Sequence, residues 1–170
     1  MAVAVTFDYK TKHAVERTQS GQVVARPAIP SSAGLYVIRN KDQARAVYAG
    51  TSSNLQQRFK GRFEVFRETG LTDAVLANIR IYIIKLKIDD QARAVDDTGI
   101  VYPRDGQIDV ENLLIRSIVA KAHCNVFNVA KWQIFRNPYA QRLDVEFDNF
   151  PHSTRYFIPN NFNVPSNGTF

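Results

Sequence analysis

Two charged side chains in this sequence have the chemistry to hold a phosphate group and a metal ion. Arg58 lies one turn into a predicted helix, and its planar guanidinium suits a phosphate whose negative charge grows during a reaction. Glu111 lies three, four and seven residues before apolar positions of a later helix, where a charge is costly unless paired or metal-bound. Both have ordinary alternatives, Arg58 as a solvated helix arginine and Glu111 as a first-turn acid stabilised by the helix dipole.

Two tyrosines lie just before the helix that carries Arg58. Residues 34–39 and 46–50 have the composition of strands and a short connection, which predicts an antiparallel hairpin. Tyr36 and Tyr48 belong to these strands, where an aromatic ring most often fills a core. A tyrosine has a reference pKa of about 10, so it needs nearby cations or a metal ion to act as a base near neutral pH.

The spacing of these residues resembles the signature of the GIY-YIG nuclease superfamily. Gly34 and Tyr36 form a Gly-x-Tyr triad, and after eleven residues Tyr48 and Gly50 form a Tyr-x-Gly triad. The continuation Gly-Thr-Ser-x-Asn-Leu-x-x-Arg then ends at Arg58, ten residues after Tyr48. The resemblance implies an active site on the hairpin, with Gly34 and Gly50 as its structural supports.

The resemblance also implies a role for each chemical group. Tyr36 is the candidate general base that activates the attacking water, Tyr48 orients or assists, and Arg58 stabilises the charge on the phosphate. Glu111 would hold a single Mg²⁺ or Mn²⁺ ion, which one carboxylate can do together with waters and phosphate oxygens.

Other residues are assigned to the site by the same resemblance. The helix that carries the glutamate is normally followed by a bracing asparagine, and both Asn125 and Asn128 qualify; Asn125, fourteen residues after Glu111, is preferred. Lys60 and Arg62 are predicted to contact nucleic acid and to supply positive charge near the tyrosines. Several family members have a histidine shortly after the signature arginine, where this chain has Arg62.

The predicted fold is α+β. It consists of a small, GIY-YIG-like antiparallel sheet of three central strands with flanking helices, and the termini add peripheral strands. The strands are at 34–39, 46–50 and 79–88, and the helices at 55–67, capped by Asn54, and 110–123, capped by Asp109. The predicted organisation is an N-terminal extension at 1–31, a nuclease-like core at 32–130, and a C-terminal extension at 131–170 packed on the core and ending in an irregular tail.

An acidic insertion separates the third strand from the helix that carries Glu111. Residues 89–110 contain six aspartates and two arginines, a local net charge of −4, so the rest of the chain carries +10. The segment is predicted to be a hairpin or flap. Two alternatives stay open, docking on the basic helix at 55–67 as a brake on DNA binding, or a solvated loop.

The composition bounds the class of protein. A length of 170 residues suits one domain, a net charge of +6 is compatible with a polyanionic partner, and the single cysteine excludes an internal disulfide and a cysteine-built zinc site. No membrane span or signal peptide is recognised, so the expected site of action is the cytoplasm, with export as part of a larger toxin left open.

The function that the resemblance implies is metal-dependent hydrolysis of DNA phosphodiester bonds by an endonuclease. DNA is preferred over RNA because most relatives cut DNA, and RNA is left open. Four biological roles stay open: a restriction enzyme, a toxin domain with an immunity protein as partner, a mobile-element enzyme and a repair enzyme. Restriction and toxicity are ranked above repair. The alternative is a catalytically inactive nucleic-acid-binding or interaction module with the same fold.

Overall fold

The chain forms an α+β structure with one large mixed sheet and few helices. The computed structural model describes residues 2–41, 46–103, 106–122, 125–126, 137, 141–151 and 161–166. In chain order the strands and helices are β1 Ala2–Arg17, β2 Val23–Arg26, β3 Gly34–Asn40, β4 Ala46–Ser52, α1 Leu55–Glu68, α2 Asp73–Asn78, β5 Ile79–Ile88, β6 Gln91–Arg93, β7 Ile100–Val101, β8 Ile108–Asp109, α3 Val110–Ala122, β9 Asn125–Val126, β10 Arg142–Asp148 and β11 Asn161–Val164.

The sheet contains nine strands among the described residues. Its order is β11-β10-β1-β5-β3-β4-β9, while β2 pairs with β1 and β6 pairs with β5. The β1–β10 and β4–β9 pairs are parallel and the other pairs are antiparallel. The predicted hairpin and third strand are β3, β4 and β5, which lie next to each other within this larger sheet.

The extent of the sheet corrects the prediction of three central strands with peripheral additions. β1 is an interior strand, because it pairs with β5 on one side and with β10 and β2 on the other. Its register shifts between Asp8 and Thr11, so the alternation of apolar residues changes phase within the strand and the sequence pattern looks mixed. The tail predicted to be irregular also contributes β11, which pairs with β10.

The two faces of the sheet carry separate cores, because successive side chains of a strand point to opposite sides. On one face, Leu35 and Tyr82 belong to the core that contains the buried residues of α3. On the other, Tyr36 and Ile83 belong to the core that contains the buried residues of α1 and α2. We call these the α3 face and the α1 face. Consecutive residues in each strand of the hairpin therefore have their side chains on different faces of the sheet.

The helices begin where the sequence predicts. The Asn54 side chain accepts a hydrogen bond from the Gln57 N–H at 3.0 Å, and the Asp109 carboxylate accepts one from the Asn112 N–H at 2.8 Å. Both predicted caps are confirmed. No helix in the described part of the chain combines the length and the apolar character that crossing a bilayer requires.

The acidic segment is anchored in the core of the α3 face. It contains the predicted hairpin, since β6 folds back on β5, and Val95, Val101 and Ile108 are buried among residues of α3. The hydroxyl of Thr51 in β4 lies 3.2 Å from the carbonyl oxygen of Asp97. These contacts are on the face opposite α1, so the described residues do not show docking on the basic helix.

Candidate active site

The hairpin brings Tyr36 against Gly50. The two residues are directly paired across β3 and β4, and Tyr36 is 1% exposed. A Cβ atom at Gly50 would lie 2.9 Å from the Tyr36 hydroxyl oxygen and 3.1 Å from its Cζ. At Gly34, a Cβ would meet only the flexible end of Leu55, at 3.2 Å. Position 50 therefore requires glycine because the Tyr36 ring approaches it closely. The requirement for glycine at position 34 is weaker.

Gly50→Ala is expected to destabilise the protein by about 1–3 kcal/mol, because the added methyl group must displace the Tyr36 ring from a packed core. Gly34→Ala is the matched control. The Leu55 side chain can rotate away from the added methyl group, and alanine loses less conformational entropy on folding than glycine does. Urea unfolding of the two variants measures the difference. Equal stabilities of the two variants would show that the packing of the Tyr36 ring does not require a glycine at position 50.

Arg62 joins the two tyrosines into one cluster. Its Nη2 donates a hydrogen bond to the Tyr36 hydroxyl at 3.3 Å, and its Cζ lies 4.5 Å from the centre of the Tyr48 ring. The two tyrosine rings are 6.2 Å apart and nearly parallel. The Nε of Arg62 is buried and has no hydrogen-bond partner in the described structure. We call Tyr36, Tyr48 and Arg62 the tyrosine–arginine cluster.

Arg58 lies one turn before Arg62 and is exposed. Its positive charge acts on the Tyr36 hydroxyl, but Arg62 makes the direct contact. The sequence predicted Arg62 as a nucleic-acid contact and as a source of positive charge near the tyrosines, but not as the direct partner of Tyr36. The sequence feature that indicated a position near Tyr36 was the spacing of four residues between Arg58 and Arg62, which puts both arginines on one flank of the helix.

Burial raises the pKa of the Tyr36 hydroxyl above its ordinary value of 10.0, although the hydrogen bond and charge of Arg62 and the charge of Arg58 oppose the shift. The hydroxyl is therefore protonated at neutral pH. This direction is opposite to the one that a general base needs. The assignment of Tyr36 as the base stays a prediction, and it requires that bound substrate or metal lower the pKa.

Tyr36→Phe is expected to make stability less sensitive to alkaline pH. A phenol whose pKa is raised in the folded protein contributes its full stabilisation below the unfolded pKa of 10.0, and this is lost as the pH rises through the folded pKa. Burial also raises the pKa of Tyr82, so the variant should lose only part of the alkaline destabilisation. Urea unfolding from about pH 9 to about pH 12 tests this, and parallel curves for the two proteins would contradict it.

Glu111 lies at a different place, beside the residue that follows Gly50. Its Oε2 is 3.3 Å from the hydroxyl of Thr51. Gly99, at φ +68°, passes so close that a Cβ there would lie 2.8 Å from Cβ of Glu111. Gly50 and Thr51 are neighbours in β4, so the carboxylate is on the α3 face and the tyrosine–arginine cluster is on the α1 face. The structure brings the tyrosines and arginines together, and β4 lies between them and Glu111.

The oxygen atoms around Glu111 are of the chemical type that magnesium and manganese ions prefer. The carboxylate, the Thr51 hydroxyl and the Asp97 carbonyl are all hard oxygen donors, linked by contacts of 3.2 and 3.3 Å. No group of three or more histidine, cysteine, aspartate or glutamate side chains gathers in the described part of the chain. If an ion were bound, a single carboxylate would leave positions on it for waters and substrate oxygens.

The remaining predicted residues divide between the described and the undescribed parts of the chain. Asn125 lies in β9, where its backbone pairs with Ala46 of β4, and its side chain is outside the description. Asn128 lies outside the described residues. Lys60 is exposed on the flank of α1 that faces β2, away from the tyrosines. Thr51 and Gly99 were missed because their significance depends on contacts between distant parts of the chain.

Comparison of the chain with protein-family models, with curated proteins and with solved structures gives no match.

Proposed function

We propose that this chain is a metal-dependent endonuclease that hydrolyses DNA phosphodiester bonds. The proposal rests on the contacts of Arg62 with Tyr36 and Tyr48, and on the close approach of the Tyr36 hydroxyl to Gly50, where a Cβ atom would collide with it. This arrangement gives a physical reason for the spacing of the signature residues. The net charge of +10 outside the acidic segment supports a polyanionic substrate.

The side chains of the cluster suit a phosphate group. Arg58 is exposed and can reach a phosphate from the solvent side, while Arg62 is held in place by both tyrosines. Guanidinium groups fixed before the reaction stabilise developing negative charge without reorganisation. Tyr36 holds its proton in the resting protein, so its neutral hydroxyl can orient a water, and base catalysis would begin only from its ionised form.

Glu111, Thr51 and the Asp97 carbonyl would hold the metal ion. When bound, the ion supplies Lewis-acid stabilisation of a phosphate or leaving oxygen. Gly99 keeps the Glu111 side chain in its position, because no other residue type would leave space beside the Cβ of Glu111. Because Gly50 and Thr51 are consecutive, the carboxylate and the tyrosine–arginine cluster flank β4 from opposite faces, and a phosphodiester that contacts both would have to pass around β4.

Nicking of supercoiled plasmid DNA tests the proposal. The purified chain is expected to nick the plasmid with Mg²⁺ or Mn²⁺, to stop when EDTA is added, and to lose activity in Arg58→Ala. Absence of nicking with either ion would overturn the enzymatic proposal. RNA of the same length, assayed in parallel, decides between the two nucleic acids.

The alternative is a nucleic-acid-binding module without catalysis. Two observations favour it: the raised pKa of Tyr36 and the position of Glu111 on the opposite face of β4. Such a module would bind DNA with an affinity that falls steeply with salt and would leave the DNA intact. Binding without cleavage under both metal ions would support this alternative.

The biological role that we propose is restriction or toxicity. A toxin domain would act in the cytoplasm of a target cell and would have an immunity protein as partner. Growth arrest on expression in a bacterium, relieved by Glu111→Ala, would support the toxin role. A single defined pattern of plasmid fragments would support restriction instead.

A further inference from the structure

A groove of about 550 Å³ runs between α1 and β2. At 100° per residue, the α1 side chains that line it lie on the flank opposite Arg58 and Arg62. All five residues of 22–26 line the other wall. Because strand side chains alternate between two faces, a run of consecutive lining residues indicates that the backbone edge of β2 faces the groove.

The hydrogen-bond pattern shows which backbone groups of β2 point into the groove. The Thr18 N–H donates to the Gln22 carbonyl at 2.8 Å, so Gln22 is bonded towards β1. Bonded and non-bonded positions alternate in an antiparallel ladder, so Val24 also bonds to β1, whereas Val23 and Ala25 direct their N–H and C=O groups outward.

These outward groups belong to residues that are nearly buried, and they lack a strand partner. Val23 and Ala25 are each 7% exposed, and within the described residues β2 pairs with β1 alone. Buried backbone donors and acceptors are costly without a hydrogen-bond partner. The wall of the groove therefore has an unused ladder of donors and acceptors.

The helix wall of the groove is basic. Lys60 and Arg67 are exposed and form no ion pair among the described residues, with Glu64 between them. On the strand side, Arg26 pairs with Glu16 at 2.9 Å, so that charge is already compensated. The excess positive charge on α1 complements an acidic ligand.

We propose that the groove binds an extended acidic peptide segment of a partner protein, which adds as a strand to the outer edge of β2. Its backbone would pair with Val23 and Ala25, and its carboxylates would lie against Lys60 and Arg67. Four residues of β2 span about 13 Å, enough to pair with about four residues of the peptide. A DNA strand fits less well, because its sugar–phosphate backbone has no N–H donors for the carbonyls of Val23 and Ala25.

The first test uses a fluorescent six-residue peptide of alternating valine and aspartate. Anisotropy is expected to show binding to the full chain, and a version with N-methylated backbone amides at alternate positions should bind roughly tenfold more weakly. Equal affinities of the two peptides would overturn strand addition. Stronger binding of a thymidine decanucleotide at the same groove would also overturn the proposal and assign the groove to nucleic acid.

The second test changes the charge of the helix wall. The double variant Lys60→Glu, Arg67→Glu should weaken peptide binding roughly tenfold or more, because two attractions become repulsions. The matched control is Lys12→Glu, Lys85→Glu, which changes two exposed cations elsewhere and the net charge by the same amount. Equal weakening in both double variants would contradict a specific contact at α1.

The third test reads the backbone directly. On addition of the peptide, amide hydrogen exchange measured by NMR should slow at Val23 and Ala25, while Val24 keeps its existing protection from β1. A change confined to side-chain signals, with no slowing at Val23 and Ala25, would overturn the ladder. This readout does not depend on nuclease activity, so its result is separate from that of the proposed function.

Discussion

Glu111→Gln is expected to abolish DNA cleavage while the fold is preserved. The change keeps the shape of the side chain beside Thr51 and Gly99 and removes the negative charge that would hold the metal ion. If the ion contributes about 4 kcal/mol to transition-state stabilisation, the cleavage rate falls roughly 1000-fold. DNA affinity should change little, because the residue removed is an anion and the basic surface is intact. Single-turnover cleavage and binding measured on the same preparation separate the two effects.

Binding of the metal alone gives a second readout for the same variant. Mn²⁺ should broaden the NMR signals of Thr51, Gly99 and Glu111 in the wild type, and this broadening should be lost in Glu111→Gln. The control variant is Asp90→Asn, which removes one charge from the same acidic segment at an exposed turn. Broadening that persists in Glu111→Gln and disappears in Asp90→Asn would show that the metal ion binds at the aspartates of the acidic segment instead.

Arg62→Ala should lower the cleavage rate by about 100- to 1000-fold, the range found when one preorganised donor is removed from an active site. The variant loses the hydrogen bond to Tyr36 and the contact with the Tyr48 ring, so the tyrosines also lose their fixed arrangement. Arg62→Lys should recover only part of the activity, because a lysine keeps the charge but not the planar fork.

The control for Arg62 is Lys85→Ala, which removes an exposed cation from β5. If cleavage depends only on net positive charge, the Arg62 and Lys85 variants should lose activity equally. If it depends on the cluster, the Lys85 variant should cleave at nearly the wild-type rate. Full activity of Arg62→Lys would contradict a geometric role for the guanidinium.

Local patterns in the sequence predicted the elements around the hairpin well. The hairpin, the third strand and the helix after Asn54 each have a short-range signal, namely alternation, a capping residue or an apolar stripe. The interior position of β1 was not predicted, because the register shift after Asp8 breaks its alternation into two phases. Both faces of β5 are buried at Ile83 and Ile84, and the register irregularity beside them lies on β1.

The candidate site was harder to predict than the fold, because its geometry depends on which face each residue occupies. The spacing of Tyr36 and Gly50 fixes a direct pair across the hairpin, and this could be inferred from the sequence. The position of Glu111 on the other face depends on how α3 and the acidic segment pack. Gly99 supplies the space for that packing, and a lone glycine within a loop gives no such signal in the sequence.

Single-turnover cleavage of a labelled DNA duplex tests most directly whether hydrolysis occurs at the tyrosine–arginine cluster and Glu111. Wild type and the double variant Tyr36→Phe, Glu111→Gln are purified identically and assayed with Mn²⁺ and with EDTA. The wild type should cleave with Mn²⁺ and not with EDTA, and the double variant should not cleave under either condition. Equal cleavage by the two proteins, or no cleavage by the wild type with Mn²⁺ or Mg²⁺, would contradict hydrolysis at this site.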